Sequence, residues 1–502
     1  MVSPFLGADF PSDTSIGFSP VIDLRLVLFI NGILLTTLGI TMLIPAAVDM
    51  VYANPDWQVF AASSAITVFM GGSLMLTNRT SGGQMHAREA VLMTNMAWLS
   101  LSLFAAIPLR LSELDLSYTD AFFEAVSGIT TTGATVISGL DTAPPGILLW
   151  RAILQWLGGI GIIVMAISVL PMLSIGGMQL FQLESSENAE KAMPRTAQLA
   201  SSIGLLYTTL TLLCAICYGL AGMGAFDALA HAMTTISTGG FSTRDGSIGH
   251  FDSPMIDAIA VTFMILGGLP FVLMILALRG DWWQLFADRQ VQWYFGIIVI
   301  AIIVMTLYTN YFIHEDSLAA LRFSAFNTVA VMTGTGYATA DYGGWGAFPL
   351  TAFFFLMFVG GCAGSTTCGI KIFRFQVLYA VTRAQLLKLL QPHGVFIPYY
   401  NRRPMPEDVP LAVMGFFAMF GLSFAVLATA LGLMGLDFLT AISGAATSIS
   451  NVGPGLGNII GPAGTFDPLP EAAKWVLAFG MLLGRLELFT VLVLALPQFW
   501  RR

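Results

Sequence analysis

Apolar stretches long enough to cross a bilayer as a helix, about 20 residues each, recur from one end of this 502-residue chain to the other. Only 10% of the residues are charged, whereas soluble domains carry about 25%. The sequence therefore predicts one polytopic membrane domain. Its ten predicted spans lie approximately at residues 26–48, 58–77, 90–109, 148–174, 197–222, 256–278, 291–313, 347–370, 409–435 and 475–497.

The number of spans and the positions of the basic residues predict the orientation of the chain. Ten crossings place both termini on the same side of the membrane. Of the 21 Lys and Arg residues, 15 fall on the side of the termini, five fall on the opposite side, and Arg485 lies inside a span. Short loops rich in Lys and Arg stay in the cytoplasm, so we expect both termini to be cytoplasmic.

Charge and cysteine content exclude several other classes of protein. The net charge is −8, and there is no clustered basic domain of the kind that binds nucleic acid. The four cysteines are too few and too scattered for a disulfide framework. The sequence has no cluster of nucleophile, base and metal ligands in its spans or loops, so we do not expect an enzyme.

Four connections on the side opposite the termini share one pattern, a short helix-like piece followed by Thr, Ser and Gly. They are Asp120–Gly133, Asp227–Gly240, Phe326–Gly336 and Asp437–Gly453. The third lacks the Asp, and the fourth has it further upstream. Their spacing of about 110 residues indicates a fourfold internal duplication. Clusters of Thr and Gly are also common in ordinary loops, but four copies between spanning helices favour a common role.

Irregular backbone at membrane depth has few possible uses. It is tolerated only where it is buried in protein or lines a water-filled cavity, because unpaired carbonyls are costly in lipid. Four such segments that converge on one axis can replace the hydration shell of a cation with carbonyl and hydroxyl oxygens. A short helix that enters from outside points its partly negative C-terminal end toward the bilayer middle, which favours a cation. The sequence therefore predicts a cation pore.

The four segments also carry a family resemblance. They read Thr-Thr-Thr-Gly-Ala-Thr (130–135), Ser-Thr-Gly-Gly-Phe-Ser (237–242), Thr-Gly-Thr-Gly-Tyr-Ala (333–338) and Ser-Asn-Val-Gly-Pro-Gly (450–455). With the run Gly-Arg-Leu-Glu-Leu-Phe at 484–489, they resemble the four filters of the Trk/Ktr/HKT cation-transporter superfamily, and most closely its bacterial TrkH branch. That branch has two extra N-terminal crossings, which matches the first two predicted spans.

The resemblance implies an all-α polytopic membrane protein with four helix–pore loop–helix repeats around one pore, plus two extra N-terminal transmembrane helices. The implied boundaries are 1–85 for the N-terminal extension and 86–182, 183–288, 289–403 and 404–502 for the four repeats, the third with a broken second helix and a cytoplasmic segment. It also implies K⁺ uptake across the bacterial inner membrane, a homodimer, and control by a cytoplasmic TrkA-type nucleotide-binding regulator. We expect no organic cofactor in this chain and no nucleic-acid partner.

Carried over one position at a time, the resemblance assigns K⁺ binding to three residues in each segment, mainly through backbone carbonyls. These residues are Thr131, Thr132 and Gly133; Thr238, Gly239 and Gly240; Gly334, Thr335 and Gly336; and Asn451, Val452 and Gly453. In this superfamily a Ser in place of the first filter Gly accompanies Na⁺ permeability. All four Gly positions are Gly here, so K⁺ is the expected ion. Asn451 and Pro454 break the symmetry of the ring, as in the TrkH fourth filter, and weaker selectivity than in a fourfold-symmetric channel is expected.

A gate is predicted beside the filter, in the eighth span. Residues 360–369 contain four glycines, each costing about 1 kcal/mol relative to Ala inside a helix, so we expect a break there. A close-packed glycine face is the alternative. The resemblance makes this run an intramembrane loop, and the gate residues are then Gly360, Gly361, Gly364, Ser365, Thr366, Thr367, Gly369, Lys371 and Arg485.

Arg485 is expected to hold that loop across the pore in the resting state. Placing a guanidinium inside a span costs roughly 3 kcal/mol on insertion scales, so it must find carbonyls, a carboxylate or the ion pathway. Glu487 lies about 200° further round the helix and is a poor partner. The alternative is a structural salt bridge elsewhere.

Two points stay open at the level of sequence. Glu124 and His231 occupy equivalent places in the first two pore helices, where they could attract cations or sense pH, or be polar groups hydrogen-bonded behind the filter. The second point is the transport mode. Coupling to H⁺ or Na⁺ usually needs ionisable residues within the spans, and only Arg485 and Glu487 lie deep there. We therefore expect channel-like conduction, with an H⁺- or Na⁺-coupled K⁺ symporter as the alternative.

Overall fold

The computed structural model describes residues 22–79, 85–168, 196–313, 316–401 and 403–501. Within these ranges the chain is mostly helical, and a short antiparallel hairpin pairs Tyr399–Tyr400 with Arg403–Pro404. The predicted all-α class is confirmed. The boundary predicted at 182–183 and the end of the span predicted at 148–174 lie outside the described residues.

The helices fall into an N-terminal group and four repeats, and are numbered here along the chain. The N-terminal group contains α1 (Leu24–Thr41), α2 (Leu43–Val51) and α3 (Trp57–Thr77). Repeat 1 contains α4 (Ala87–Leu111), α5 (Tyr118–Ile129) and α6 (Pro145–Ser168). Repeat 2 contains α7 (Thr196–Leu220), α8 (Ala225–Ile236), α9 (Pro254–Gly267), α10 (Phe271–Leu276) and α11 (Trp282–Ala287).

Repeats 3 and 4 have the same plan. Repeat 3 contains α12 (Arg289–Phe312), α13 (Ser317–Met332), α14 (Ala347–Leu356) and α15 (Ile372–Leu390). Repeat 4 contains α16 (Asp408–Leu433), α17 (Phe438–Ser450), α18 (Glu471–Arg485), α19 (Phe489–Leu492) and α20 (Pro497–Trp500). The remaining helical pieces are 3₁₀ turns at Leu140–Thr142, Ser247–Phe251, Tyr342–Trp345 and Val493–Ala495 and a π-helical turn at Ala277–Asp281.

Each repeat places a short pore helix between two longer elements. The pore helices are α5, α8, α13 and α17, and each packs against the helix before it and the helix after it. The second helix of a repeat also packs against the pore helix of the next repeat: α6 on α8, α9 on α13, and α18 on α5. Phe353 and Met357, at the end of α14, share a buried cluster with Ala446 of α17. The four repeats therefore close into a ring around one axis.

Two partly buried ion pairs lie at these contacts between repeats. Lys474 of α18 is 2.5 Å from Asp120 of α5, and Arg322 of α13 is 2.7 Å from Asp257 of α9. Each pair joins the outer part of a pore helix to a neighbouring repeat. A charge removed from water needs a partner of this kind, so the pairs help to fix how the repeats meet.

The N-terminal helices pack on the outside of the ring. α1 lies against α3 and α4, and α2 lies against α6. The helices α1 and α3 approach closely, since a Cβ added at Gly71 would lie 2.5 Å from Thr36 Oγ1. Small residues at such crossings are typical of helix packing in membranes. In its described residues, 22–79, the extension therefore adds two crossings and no pore helix.

Seven helices in the described ranges are long and apolar enough to cross a membrane. The spans predicted at 256–278 and 475–497 are wrong as continuous helices, because α9 is bent by 100° from the helical segment that follows it and α18 by 109°. At the first bend Pro270 has no N–H to continue the helix. At the second, Glu487 and Leu488 have φ of 61° and 33°, which no helix accommodates.

The predicted eighth span is interrupted as well. α14 ends at Leu356 and α15 begins at Ile372, so the glycine-rich loop, defined here as residues 360–369, lies in irregular backbone between them. Its residues are buried almost throughout. Irregular backbone is thus enclosed by protein at this point, as the physics of the bilayer requires.

Candidate functional site

The C-terminal ends of the four pore helices meet at four short segments of irregular backbone. We call these the ring segments: 131–133, 238–240, 334–336 and 451–453. Three of the pore helices begin at a side-chain cap, provided by Ser117, Asp316 and Asp437. In repeat 3 the capping Asp316 lies just upstream of the segment in which the sequence pattern lacks an Asp. These caps define where three of the four pore helices begin.

The ring segments share one unusual backbone conformation. Their first residues have positive φ (Thr131 53°, Thr238 51°, Gly334 71° and Asn451 52°), and so do their third residues (Gly133 87°, Gly240 80°, Gly336 74° and Gly453 108°). Three of the first residues carry a side chain, and such a conformation costs of order 1–3 kcal/mol each. The sequence predicts the glycines but not the left-handed Thr131 and Thr238, because a β-branched residue rarely adopts positive φ, whereas Asn does so more readily.

The four ring segments touch one another in a closed cycle. A Cβ added at the last glycine of any segment would lie within 3.0 Å of a carbonyl oxygen of the next segment. The pairs are Gly133 with Gly239 O, Gly240 with Thr335 O, Gly336 with Val452 O, and Gly453 with Thr132 O. The four middle carbonyls therefore converge, and only glycine fits opposite each of them. All twelve residues assigned to ion binding from sequence are brought together here.

The side chains of the ring segments are mostly committed to contacts within the protein. The Thr132 hydroxyl lies 2.7 Å from the Thr130 hydroxyl, and the Thr335 hydroxyl lies 2.7 Å from that of Thr333. Asn451 donates to Thr132 Oγ1 at 2.9 Å. Backbone carbonyls thus remain as the main oxygens that a cation could use.

One ring carbonyl also has a partner that the sequence does not predict. Gln155 of α6 donates to the Gly239 carbonyl at 2.6 Å and accepts the Phe241 N–H at 3.0 Å. A carbonyl oxygen has two lone pairs, so Gly239 keeps one for a cation. Gln155 carries no signal in the sequence, since a lone Gln in an apolar helix is usually a packing residue with a local hydrogen bond.

The glycine-rich loop contacts the ring at the first residues of its segments. The Thr131 hydroxyl lies 3.6 Å from Cys368 Sγ, and the Thr238 hydroxyl lies 3.3 Å from Thr366 Oγ1. A Cβ added at Gly334 would lie 3.6 Å from Cys368 Cβ. Three of the four segments therefore begin against this loop.

The bend between α9 and α10 holds the loop in place. The carbonyls of Gly267 and Gly268, freed by the bend, accept the N–H groups of Thr366 and Cys362, each at 3.1 Å. In return the Gly364 carbonyl accepts the Phe271 N–H at 3.0 Å. Two interrupted helices from different repeats thus satisfy each other's backbone.

The loop is also stiffened from within. The hydroxyls of Ser365 and Thr367 lie 2.7 Å apart, and the Gly360 N–H donates to the Ile370 carbonyl at 3.0 Å. Lys371, one of the predicted gate residues, is 9% exposed and donates to the Thr367 carbonyl. The lysine is therefore part of the loop's own hydrogen-bond network.

Arg485, the last residue of α18, joins the loop to repeat 1. It is 3% exposed. Its Nη1 donates to the Thr366 carbonyl at 3.4 Å and contacts Cys368 Sγ, and its Nη2 donates to the Gly158 carbonyl of α6 at 3.0 Å. This agrees with the expected contact between Arg485 and the loop. The Gly158 contact has no signal in the sequence.

Glu487 has a different partner. It lies 2.5 Å from Arg374 at the start of α15, and the Arg374 guanidinium stacks 3.7 Å from the ring centre of Phe416. Among the described residues, Arg485 donates hydrogen bonds to carbonyls and a thiol. The alternative prediction, a salt bridge of Arg485, is therefore wrong for this part of the chain.

Glu124 and His231 are both buried and hydrogen-bonded behind the ring. Glu124 is 2.7 Å from Arg151, and His231 Nε2 is 2.9 Å from the Ser242 hydroxyl. This agrees with the second of the two interpretations given above. Among the described residues, no group of three or more His, Cys, Asp or Glu side chains could hold a metal ion.

Known proteins resemble the chain over nearly its whole length. The family model described as TrkH, cation transport protein, matches residues 56–502. The Trk system potassium uptake protein TrkI of Halomonas elongata is 45% identical over 98% of this chain and 99% of its own. For TrkH of Escherichia coli the identity is 37%, covering 95% and 99%. The crystal structure of the potassium transporter TrkH from Vibrio parahaemolyticus superposes with a TM-score of 0.88 at 35% identity, covering 95% of this chain and all of that one.

Proposed function

The chain belongs to the TrkH family of cation transport proteins, and we propose that it takes up K⁺ by channel-like conduction through the ring segments. The observation that carries this proposal is the closed cycle in which each last glycine faces a carbonyl of the next segment. Convergent carbonyls on an axis are the ligands that replace the hydration shell of K⁺. The relatives are named as potassium uptake proteins, which are transporters and not enzymes.

The ion would be held by the backbone of the twelve ring residues. The four pore helices direct their C-terminal ends at the ring, and the partial negative charge there favours a cation. No charged side chain belongs to the ring segments themselves, which suits a site from which the ion must also leave. K⁺ is the proposed ion because the relatives are named as potassium uptake proteins and because all four last positions are glycine.

Conduction, not ion-coupled symport, is the proposed mode. A symporter that carries H⁺ needs a titratable group along the pathway. Two acids that the sequence places within the pore repeats have cationic partners: Glu124 is paired with Arg151, and Glu487 is paired with Arg374. These pairs argue against a proton relay in this region and leave the symporter as the second candidate.

The glycine-rich loop and Arg485 are the proposed gate. The loop contacts the first residues of three ring segments through Cys368 and Thr366, and Arg485 binds the loop at the same two residues. A cation in that position adds an electrostatic barrier to K⁺ as well as a mechanical one. Opening requires that these bonds break.

Family membership supports further proposals about the assembled transporter. We expect a homodimer with one pore per subunit, in the bacterial inner membrane, with both termini in the cytoplasm. A cytoplasmic TrkA-type nucleotide-binding protein is the proposed regulator, acting on the gate. Cross-linking of the protein in native membranes tests the homodimer, and co-purification with the regulator tests that partner.

The experiment that tests the transport mode is a recording on the purified protein in a planar bilayer. With unequal K⁺ on the two sides and no Na⁺ present, conduction predicts a current that reverses at the K⁺ equilibrium potential and does not move with a pH gradient. A reversal potential that shifts with the pH gradient, or K⁺ uptake that requires Na⁺, would favour the symporter. Absence of any K⁺ current or uptake in folded protein would refute both.

A further inference from the structure

A buried ion pair lies directly behind ring segment 131–133. Arg151 Nε is 2.7 Å from Glu124 Oε1, and the two side chains are 1% and 0% exposed. The free-energy cost of desolvating two charges can exceed the gain from their attraction, so a buried ion pair is weak evidence for stability. The other contacts of the pair therefore decide what it does.

Glu124 holds the chain that leaves ring segment 131–133. Its carboxylate accepts the Val136 N–H at 2.9 Å and the Thr135 hydroxyl at 2.9 Å. These residues follow the last glycine of the segment by two and three positions. Glu124 itself lies on pore helix α5, which precedes segment 131–133. It therefore ties the chain after the segment to the helix before it.

Arg151 holds the exit of the neighbouring segment 238–240. Its Nη1 donates to the Ser242 carbonyl at 2.8 Å, and its guanidinium lies 4.1 Å from the ring centre of Phe241. Gln155, one turn further along α6, bonds the Gly239 carbonyl and the Phe241 N–H. One face of α6 thus contacts segment 238–240 at Gly239 and the chain just after it at Phe241 and Ser242.

The other three repeats have a simpler arrangement at the same place. Each has a hydrogen bond from its pore helix to the chain after its own ring segment, made by uncharged groups. The pairs are His231 with Ser242 at 2.9 Å, Asn327 with Thr339 at 3.0 Å, and Ser443 with the Leu456 N–H at 3.0 Å. In repeat 1 this bond is extended by the charged partner Arg151 into the next repeat. Repeat 2 has a second, charged contact, since Asp227 of α8 pairs with Arg244 at 2.8 Å and Arg244 also lies 3.5 Å from Asp141 of repeat 1.

We propose that Glu124, Arg151 and Gln155, called here the clamp, set the selectivity of the ring by fixing segments 131–133 and 238–240 relative to each other. The proposal rests on the conduction of K⁺ proposed above and assigns positioning residues to it. Carbonyls that can shift adapt to Na⁺ as well as to K⁺, whereas carbonyls held apart discriminate. The clamp binds two of the four segments to one rigid helix.

The test compares K⁺ and Na⁺ uptake by purified protein in liposomes. Glu124→Gln or Arg151→Gln alone leaves a buried charge without its partner and can prevent folding, so the double variant and Gln155→Leu are measured as well. The expected result is a K⁺/Na⁺ rate ratio lowered by about tenfold, the size of one or two net hydrogen bonds, with K⁺ uptake retained. Arg151→Lys keeps the charge but not the fork, and an intermediate ratio is expected.

The matched control is the pair Arg322 and Asp257. It has the same 2.7 Å separation and also joins a pore helix to a neighbouring repeat, but its hydrogen bonds in the described chain do not reach a ring segment. The double change Arg322→Gln with Asp257→Asn should leave the ratio unchanged. An equal loss of selectivity in this control would show a general effect of instability and would overturn the proposal.

The outcomes separate this inference from the proposed function. If folded clamp variants take up K⁺ with the wild-type K⁺/Na⁺ ratio, the clamp does not set selectivity. That result would not contradict the proposed conduction of K⁺. If the unaltered protein takes up no K⁺, the proposed function itself fails. A ratio that falls in Gln155→Leu, which removes no charge, supports positioning over electrostatics.

Discussion

Replacing Arg485 with Ala tests the gate most directly. Arg485 reaches the glycine-rich loop through the Thr366 carbonyl and Cys368 Sγ, and it is anchored to α6 by the Gly158 carbonyl. The anchor lies outside the loop, so it is the same whether the loop is in place or displaced. Only the bonds to Thr366 and Cys368 favour the closed state.

The size of the effect follows from those two bonds. A hydrogen bond from a charged donor contributes about 1.5–3 kcal/mol when well formed. The bond to Thr366 is long at 3.4 Å, and the thiol is a weak acceptor. We therefore expect Arg485→Ala to shift the closed–open equilibrium by about 1–3 kcal/mol, a factor of about 5 to 150.

The assay is the initial rate of K⁺ uptake into liposomes at equal protein density, with thermal unfolding as the folding check. Lys474→Met is the matched control, because Lys474 is a buried cation on the same helix whose partner is Asp120 and not the loop. This control should not raise the uptake rate. Arg485→Lys separates the two parts of the gate, since it keeps the charge but loses the guanidinium fork.

The expected order of uptake rates is Arg485→Ala above Arg485→Lys above the unaltered protein. A rate for Arg485→Lys equal to that of the unaltered protein assigns the barrier to charge alone. If Arg485→Ala is folded and takes up K⁺ no faster than the unaltered protein, the reasoning is refuted and the gate lies elsewhere.

Three further predictions follow from the ring, the loop and the topology. Gly133→Ser should lower the K⁺/Na⁺ uptake ratio by about tenfold, because the new Cβ would clash with the Gly239 carbonyl and a residue with a side chain costs roughly 1–2 kcal/mol in left-handed backbone. The control Gly415→Ser, at a position with open space, should leave the ratio unchanged. An unchanged ratio in folded Gly133→Ser counts against the ring as the filter. Deleting residues 362–367 should raise K⁺ uptake at least as much as Arg485→Ala, and a slower rate in folded protein contradicts the loop as a gate. A tag on the N-terminus should react with an impermeant reagent only after the cells are opened; reaction in intact cells overturns the topology.

Much of the architecture is predictable from the sequence because its signals are local in the chain. The length of an apolar stretch sets whether it can span the bilayer, and the Thr and Gly runs after each pore helix mark the ring segments. The glycines of 360–369 mark a loop for the same reason, since helix propensity is a property of neighbouring residues. Arg485 is conspicuous because any cation in an apolar span needs a partner.

Other features depend on contacts between residues far apart in the sequence. The spans predicted at 256–278 and 475–497 bend sharply, and hydropathy carries no sign of this because a bent span has the same composition as a straight one. The bend at 268–270 is stabilised by the glycine-rich loop, about 95 residues later, whose N–H groups take the freed carbonyls. Neither segment alone predicts the other.

The sequence by itself therefore determined the membrane class, the four repeats and the residues of the ring, because hydrophobic length, repeat spacing and glycine positions are written along the chain. Only the tertiary structure decided that Thr131, Thr238 and Asn451 adopt left-handed backbone. It also decided that Gln155 of one repeat binds the ring segment of the next, and that Arg151 binds the chain just after that segment. A strained backbone persists only where surrounding contacts over-determine it. A buried polar group chooses its partner by proximity in the fold, and that proximity exists only once the four repeats have closed into a ring.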